Sequence, residues 1–301
     1  MSAVCLTLLG VPTSAGAHHA GQDQAPAAVR AAGLVDRLRE RGVEVVDGGD
    51  LAAEIFTADP TNPRHRNLGA VVRVAKAVAD ATAEILRSDR VPLLVGGDCT
   101  ITLGVVAGVQ RVYPDAGLAY FDGDADLATP ATTKSGILDA MGIAHLLGSA
   151  DTELARLDRP GPMLADDHLV MLGYDDGDPD SFQGAVLAEH PAVVHYPHAD
   201  LRRDPAGLSR DAVAGLAQRC SHVIVHFDVD AVDSGDLPLG NFPHYGSGLS
   251  LEAASTVLRT LCSTPTLAAI ALTEVNPSYD PSGVQLGRYI EAVATAIAVA
   301  I

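Results

Sequence analysis

Short, unbroken apolar runs recur along this chain, and each is followed by a longer segment rich in Ala, Leu and Arg. Eight of the runs read as strands: residues 5–9, 43–46, 91–95, 117–121, 168–172, 192–195, 222–228 and 267–273. The longer segments read as helices over 26–41, 68–87, 101–112, 208–219, 251–261 and 283–301. A strand with one wet face alternates polar and apolar residues. These runs do not, which fits parallel strands covered on both faces. Strand, crossover helix, strand is the α/β order. Two long Gly/Pro-rich loops, 128–136 and 234–248, interrupt it. No internal repeat or low-complexity linker divides the chain, so residues 1–301 read as one domain.

Composition narrows the function classes. Of 301 residues, 48% are hydrophobic, enough for a large core, which excludes intrinsic disorder. The 20 basic and 38 acidic residues leave a net charge of −18, which argues against a nucleic-acid surface. Cys5, Cys99, Cys220 and Cys262 lie far apart with no CxxC, unlike a disulfide framework. There is no signal-peptide pattern, and the apolar segment 289–301 is too short to span a bilayer and contains Glu291. The expectation is a cytoplasmic protein without nucleic-acid or membrane partners. The acidity itself reads two ways: as solubility, or as aspartates gathered to hold cations.

Ligands of open α/β sheets bind beyond the carboxyl ends of the strands. Polar clusters follow four of them: Gly96-Gly97-Asp98-Cys99-Thr100, Asp122-Gly123-Asp124-Ala125-Asp126, Asp228-Val229-Asp230 and Glu274-Val275-Asn276-Pro277. Carboxylates spaced by two share a face if the chain stays extended. Such groups repel one another unless a cation or a proton intervenes, and divalent metals with oxygen ligands are the natural occupants. A single DxD is also an ordinary turn or helix cap.

The blocks GGDCTITLG, YFDGDADLATP, HFDVDAVD and ALTEVNP, in this order, resemble the four signature blocks of the ureohydrolases, the family of arginase and agmatinase. Their usual forms are GGDHS, DAHxD, SFDxD and an E-x-N-P block. The opening GVPTSAG…AGQDQAPAAVRAAGLVDRL is similar too, so the resemblance covers nearly the whole chain. It implies a three-layer α/β/α sandwich with an eight-stranded parallel sheet. It also implies two Mn²⁺ ions whose bridging hydroxide attacks a guanidinium carbon, and a homo-oligomer, trimer or hexamer. Carried over by residue, Asp122, Asp126, Asp228 and Asp230 match aspartate ligands, and Asp126 also matches the carboxylate that bonds the hydroxide. Glu274 matches the glutamate that pairs with the guanidinium. Asp178 matches an aspartate near the substrate's amino group, and Ser135 with Gly136 a pair that receives its carboxylate.

The chain departs from the pattern where the family has histidine. Cys99 and Asp124 stand at the two ligand histidines, and Asp139 at the loop histidine proposed as proton shuttle. Ala128 replaces an Asn that contacts the substrate carboxylate. Thiolate is soft and Mn²⁺ prefers hard oxygen, so Cys99 points to a weakened Mn²⁺ site or a thiophilic metal. Five aspartates and a thiolate would set six negative charges against +4, so the number of ions is open between none and two. Cys99 also reads as a neutral buried thiol, or as a nucleophile with His226 as its base. His226 reads as that base, as a replacement ligand, or as a histidine bonded within the sheet. Some ureohydrolase-like enzymes of specialised metabolism, including hydroxyarginine hydrolases, share the Cys and the His-x-Asp. His18, His19 and His244 read as loop residues near the site, most simply solvated, and His145 as a core or boundary residue.

The expected function is hydrolysis of a C–N bond in a small guanidino or N-hydroxyguanidino compound by metal-activated water. Metal ligands are expected among Cys99, Asp122, Asp124, Asp126, Asp228 and Asp230, with Mn²⁺ implied by the family. Asp126 accepts the proton, Glu274 holds the head group, and Asp139 takes part of the shuttle's role if its pKa is raised. The alternatives are a fold that has lost catalysis and serves as a binding partner, and metal-free chemistry through Cys99.

Overall fold

The computed structural model describes residues 4–178 and 182–301. Eight parallel strands form one sheet: β1 Cys5–Val11, β2 Glu44–Asp50, β3 Val91–Gly96, β4 Gly117–Phe121, β5 Leu169–Leu172, β6 Val194–Tyr196, β7 Val223–Asp228 and β8 Leu267–Thr273. Their order across the sheet is β2-β1-β3-β8-β7-β4-β5-β6. Every expected strand is present. The helices are α1 Ala25–Ala31, α2 Leu34–Glu40, α3 Leu68–Arg87, α4 Ile101–Gln110, α5 Gly142–Leu146, α6 Gly184–Ala188, α7 His198–Leu201, α8 Pro205–Arg219, α9 Leu251–Cys262 and α10 Val284–Ala300.

The unbroken apolar runs are explained by two cores, one on each face. Along β7, Val223, Val225 and Phe227 face a core shared with α1, α2, α8, α9 and α10. Ile224 faces the other, shared with α3, α4 and α5. Neighbouring residues therefore point into different hydrophobic layers, and both must be apolar. The edge strands β2 and β6 are the exposed ones. The structure is thus the expected three-layer α/β/α arrangement. No helix among the described residues is long and apolar enough to cross a membrane.

One expected element is broken in two. The helix read over 26–41 is interrupted at Gly33, which sits at φ 83° between α1 and α2. Only glycine enters that left-handed region without cost, so a helix stops there even though the apolar spacing continues.

His145 in α5 is fully buried, as a core residue should be. Its Nδ1 lies 2.8 Å from the Met141 carbonyl and its Nε2 2.9 Å from the Thr152 hydroxyl. A neutral ring satisfies both contacts, with Nδ1–H donating and Nε2 accepting. Burial pushes its pKa down to about 4. An unfolded histidine binds its proton near pH 6.5, so folding is penalised as pH falls from about 6.5 to about 4, by up to about 3 kcal/mol. His145→Gln is expected to flatten this acid-side slope in urea melts. A slope unchanged by the substitution would rule out His145 as its source.

Candidate active site

The four polar clusters follow β3, β4, β7 and β8, and these are the four central strands of the sheet. The topology gathers at one pole residues that lie as far apart as 99 and 274. Asp98 is buried; its carboxylate accepts the Gly16 N–H (3.0 Å), the Thr100 N–H (3.2 Å) and the Thr100 hydroxyl. These bonds tie the N-terminal loop to the start of α4 and fix Cys99 between them.

The carboxylates do not converge through an extended chain, as their spacing suggested. Past β4 and β7 the backbone turns. Asp122 Oδ1 accepts the Asp124 N–H (2.7 Å), and Asp228 Oδ1 accepts the Asp230 N–H (2.8 Å) in a 3₁₀ turn over Val229–Ala231. The side chains make the turns that bring them together, so the turn reading and the clustering reading are both correct. Asp230 is also tied to the preceding cluster, its Oδ1 accepting the Gly123 N–H at 3.0 Å.

Cys99, Asp122, His226 and Asp228 form one group, all buried, with donor atoms within 4.8 Å of one another. The Cys99 thiol donates to Asp228 Oδ2 (2.6 Å), and its Sγ is 3.6 Å from both Asp122 Oδ2 and His226 Nε2. His226 Nε2 lies 3.4 Å from Asp122 Oδ2. Its Nδ1 is held by the Thr102 hydroxyl at 2.7 Å, and its ring stacks on Tyr120 at 4.1 Å. Strand alternation does place His226 on the side of Asp228, and its bonds lead to the acid pole as well as to its neighbours in the sheet. Burial, then the fields of Asp228 and Asp122, push the Cys99 thiol well above its ordinary range. These surroundings oppose a free thiolate and so oppose a metal-free Cys99 nucleophile. Burial lowers the His226 pKa, against the pull of Asp122, which suits a neutral ligand nitrogen.

Asp124, Asp230 and His244 form a second group of the same kind. His244 is only 8% exposed. The reading of it as a solvated loop histidine is therefore corrected. The loop after β7 folds back over the strand ends and carries the ring inward, helped by the Val232–Leu249 bridge.

Asp139 and Glu274 are buried together with Cys99. Asp139 Oδ1 accepts the Cys99 N–H (2.7 Å), and Glu274 Oε2 accepts from Gln22 Nε2 (2.9 Å). Their other oxygens, Asp139 Oδ2 and Glu274 Oε1, have no hydrogen-bond partner. Burial, then the Asp98 charge, pushes Asp139 well above the usual carboxylate range; burial and Asp139 do the same to Glu274. Asp126 is raised by burial and by Asp122, and the Tyr120 hydroxyl donates to its Oδ2. Asp228 and Asp230 are raised as well, by burial first. Asp126 (φ 49°) and Glu274 (φ 64°) hold left-handed backbone conformations that non-glycine residues rarely adopt.

A cavity of about 290 Å³ opens onto this pole. Cys99, Asp122, Asp124, Asp126, Ser135, Asp139, Asp178, Asp228, Asp230 and Glu274 all line it. His226 and Gly136, also singled out in the sequence, are not among the residues that line it. Lys134, Gln183, His18 and Phe242 also line it. Asp178 is the last described residue of its segment, and the Pro179-Asp180 that follow it in GYDDGDPD lie outside the described residues. Sequence reading missed Gln22 and Tyr120, which position Glu274 and Asp126. Tyr120 carries a signal in retrospect, since a hydroxyl in an otherwise apolar strand two residues before Asp122 needs a partner.

The donor set fits divalent cations. Buried carboxylates crowd around imidazole nitrogens, and unpartnered oxygens remain among them, a state that a cation between them relieves. An all-parallel eight-stranded sheet with an acid pole at the carboxyl ends of its central strands places the protein in the ureohydrolase class of α/β folds. The sequence pattern of the Arginase family matches residues 5–300, and the chain belongs to that family of C–N hydrolases. Among its relatives, the arginase of Brevibacillus brevis is 29% identical over 91% of each chain. The hepatic arginase of Aquarana catesbeiana is 30% identical over 90% of this chain and 84% of its own. The crystal structure of arginase from Bacillus cereus superposes with a TM-score of 0.86 at 26% identity, covering 98% and 97% of the two chains.

Proposed function

We propose that the protein hydrolyses a C–N bond of a small guanidino or N-hydroxyguanidino compound at this pole with the help of divalent cations. The observation that carries the reading is the pair of buried, unpartnered oxygens, Glu274 Oε1 and Asp139 Oδ2, beside the carboxylate clusters in one cavity. A planar cation with several N–H donors meets such acceptors, and Gln22 holds the Glu274 carboxylate in place to receive it.

Asp122, Asp124, Asp126, Asp228 and Asp230 would hold the cations, with Cys99 and His226 completing the first group, and Mn²⁺ is the metal that the family resemblance implies. When bound, they supply Lewis acidity and make water a nucleophile near neutral pH. Asp126, braced by Tyr120, accepts the water proton. In the reaction one C–O bond forms at the guanidino carbon, one C–N bond breaks, and a proton passes to the leaving amine. Asp139 is buried, 4% exposed, and its raised pKa lets it carry that proton. Ser135 and Asp178 meet the far end of the substrate.

The test is release of urea or hydroxyurea from a panel of guanidino and N-hydroxyguanidino compounds, with Mn²⁺, Co²⁺ or Zn²⁺ supplied in turn. Metal-dependent turnover is expected, and Cys99→Ser should retain part of it. Activity that survives chelation but vanishes in Cys99→Ser would instead assign the chemistry to the thiol. Metal uptake without turnover on any member of the panel would favour a binding protein.

A further inference from the structure

Position 123 is crowded from two sides, by the Asp230 main chain and by the ring of His244. A Cβ on Gly123 would lie 2.6 Å from the Asp230 carbonyl oxygen and 2.8 Å from His244 Cδ2, closer than real Cβ atoms come. The ring of His244 sits where an alanine methyl would press. Ala is the residue of the usual DAHxD block at this position, and His is the residue at the next. Here both are changed, to Gly123 and Asp124.

The ring is aimed rather than merely buried. Its Nε2 is buried without a hydrogen bond and is ion-paired with Asp124 Oδ2 at 3.6 Å; against the effect of burial, Asp124 and Asp230 push its pKa up to about 10. With an oxygen of Asp124 and one of Asp230 it forms a set within 4.8 Å. The main chain of His244 is fixed by a reciprocal pair: its N–H donates to Ser234 Oγ (3.1 Å), and the Ser234 N–H donates to its carbonyl (2.9 Å). A buried imidazole nitrogen held between two carboxylates takes up a cation, either a proton or a metal ion.

We propose that His244 is a metal ligand that holds a second divalent cation together with Asp124 and Asp230. It replaces, from the loop after β7, the imidazole that position 124 no longer carries. Gly123 leaves room for its ring as well as for the Asp230 carbonyl. The inference rests on the metal-dependent reading of the site. Once a metal ion displaces the ring proton, two carboxylates and one neutral imidazole suit Mn²⁺, Co²⁺ or Zn²⁺, and the imidazole adds no negative charge to the pole.

The test measures metal directly. The full chain is stripped, reloaded with Mn²⁺ or Co²⁺, dialysed and assayed for metal content by mass spectrometry, with affinities from calorimetry. Two equivalents are expected in the wild type and one in His244→Ala. The second site should weaken by more than the ~10–100-fold that follows loss of an outer partner. Asp124→His added to His244→Ala should restore it. The visible absorption of the Co²⁺-loaded protein should change in His244→Ala, which a purely structural role would not cause. Circular dichroism and the melting of the stripped proteins check that each variant folds. A His244→Ala protein that keeps the wild-type metal complement at wild-type affinity overturns the inference and leaves the proposed function standing; in that case the ring only braces Asp124. A wild-type protein that takes up no divalent cation overturns both.

Discussion

Stripping divalent cations from the protein is expected to abolish hydrolysis of guanidino substrates and to lower its melting temperature, with both restored on reloading. The cause is the crowding of buried acids at the pole. In the metal-free protein Asp126, Asp139, Asp228, Asp230 and Glu274 all resist ionisation, burial being the largest cause in each. A ligand bound only by the folded state stabilises it by about 4 kcal/mol at a concentration a thousandfold above its Kd. The sign of the pH effect follows from the raised carboxyl groups. The metal-free folded protein keeps protons that the unfolded chain has released, so its stability falls as pH rises from about 4 and goes on falling above the usual carboxylate range until the buried groups ionise. The loaded protein escapes that loss, and the gap between the two melting curves should widen with pH. Differential scanning fluorimetry with and without a chelator reads this. Identical melting curves across Mn²⁺, Co²⁺, Ni²⁺ and Zn²⁺ would contradict a metal centre here.

Glu274→Gln is expected to be the most damaging single substitution for substrate recognition. Removing one partner of a buried charge-assisted pair costs about 2–5 kcal/mol, or roughly 30- to 5,000-fold in kcat/KM. The amide is nearly isosteric and still meets Gln22, so folding and metal content should hold. What changes is the charge beside Asp139 at Oε1, a buried oxygen without a hydrogen-bond partner. Steady-state kinetics together with inhibition by guanidinium ion check the assignment: both turnover and guanidinium binding should weaken. Wild-type guanidinium inhibition in Glu274→Gln would move the head group elsewhere in the cavity.

The central strands were legible because burial on both faces forces short unbroken apolar runs. The break between α1 and α2 was not, because apolar spacing continues through Gly33 while the backbone does not. The acid pole was legible as four clusters at strand ends. The spacing-two argument gave the correct gathering for the wrong geometric reason: Asp122 and Asp228 bond the N–H groups two residues on and turn the chain. His226 could be placed, because strand alternation is local. His244 could not, since what buries it is a loop closure between residues 123 and 244, which no local pattern records. The one trace in sequence is Gly123 itself, a missing methyl that has meaning only when the ring beside it is known.

The left-handed backbone at Asp126 and Glu274 has a consequence for any attempt to engineer this protein. Strained positions of this kind cost about 1–3 kcal/mol each, and glycine would relax both. Glycine would also remove two buried carboxyl groups that the fold has difficulty accommodating. Screening for heat resistance alone would therefore select against the two side chains on which turnover is proposed to depend. Any stabilised variant has to be counter-selected for activity at 126 and 274, and its added stability has to be sought at the edge strands and outer helices instead.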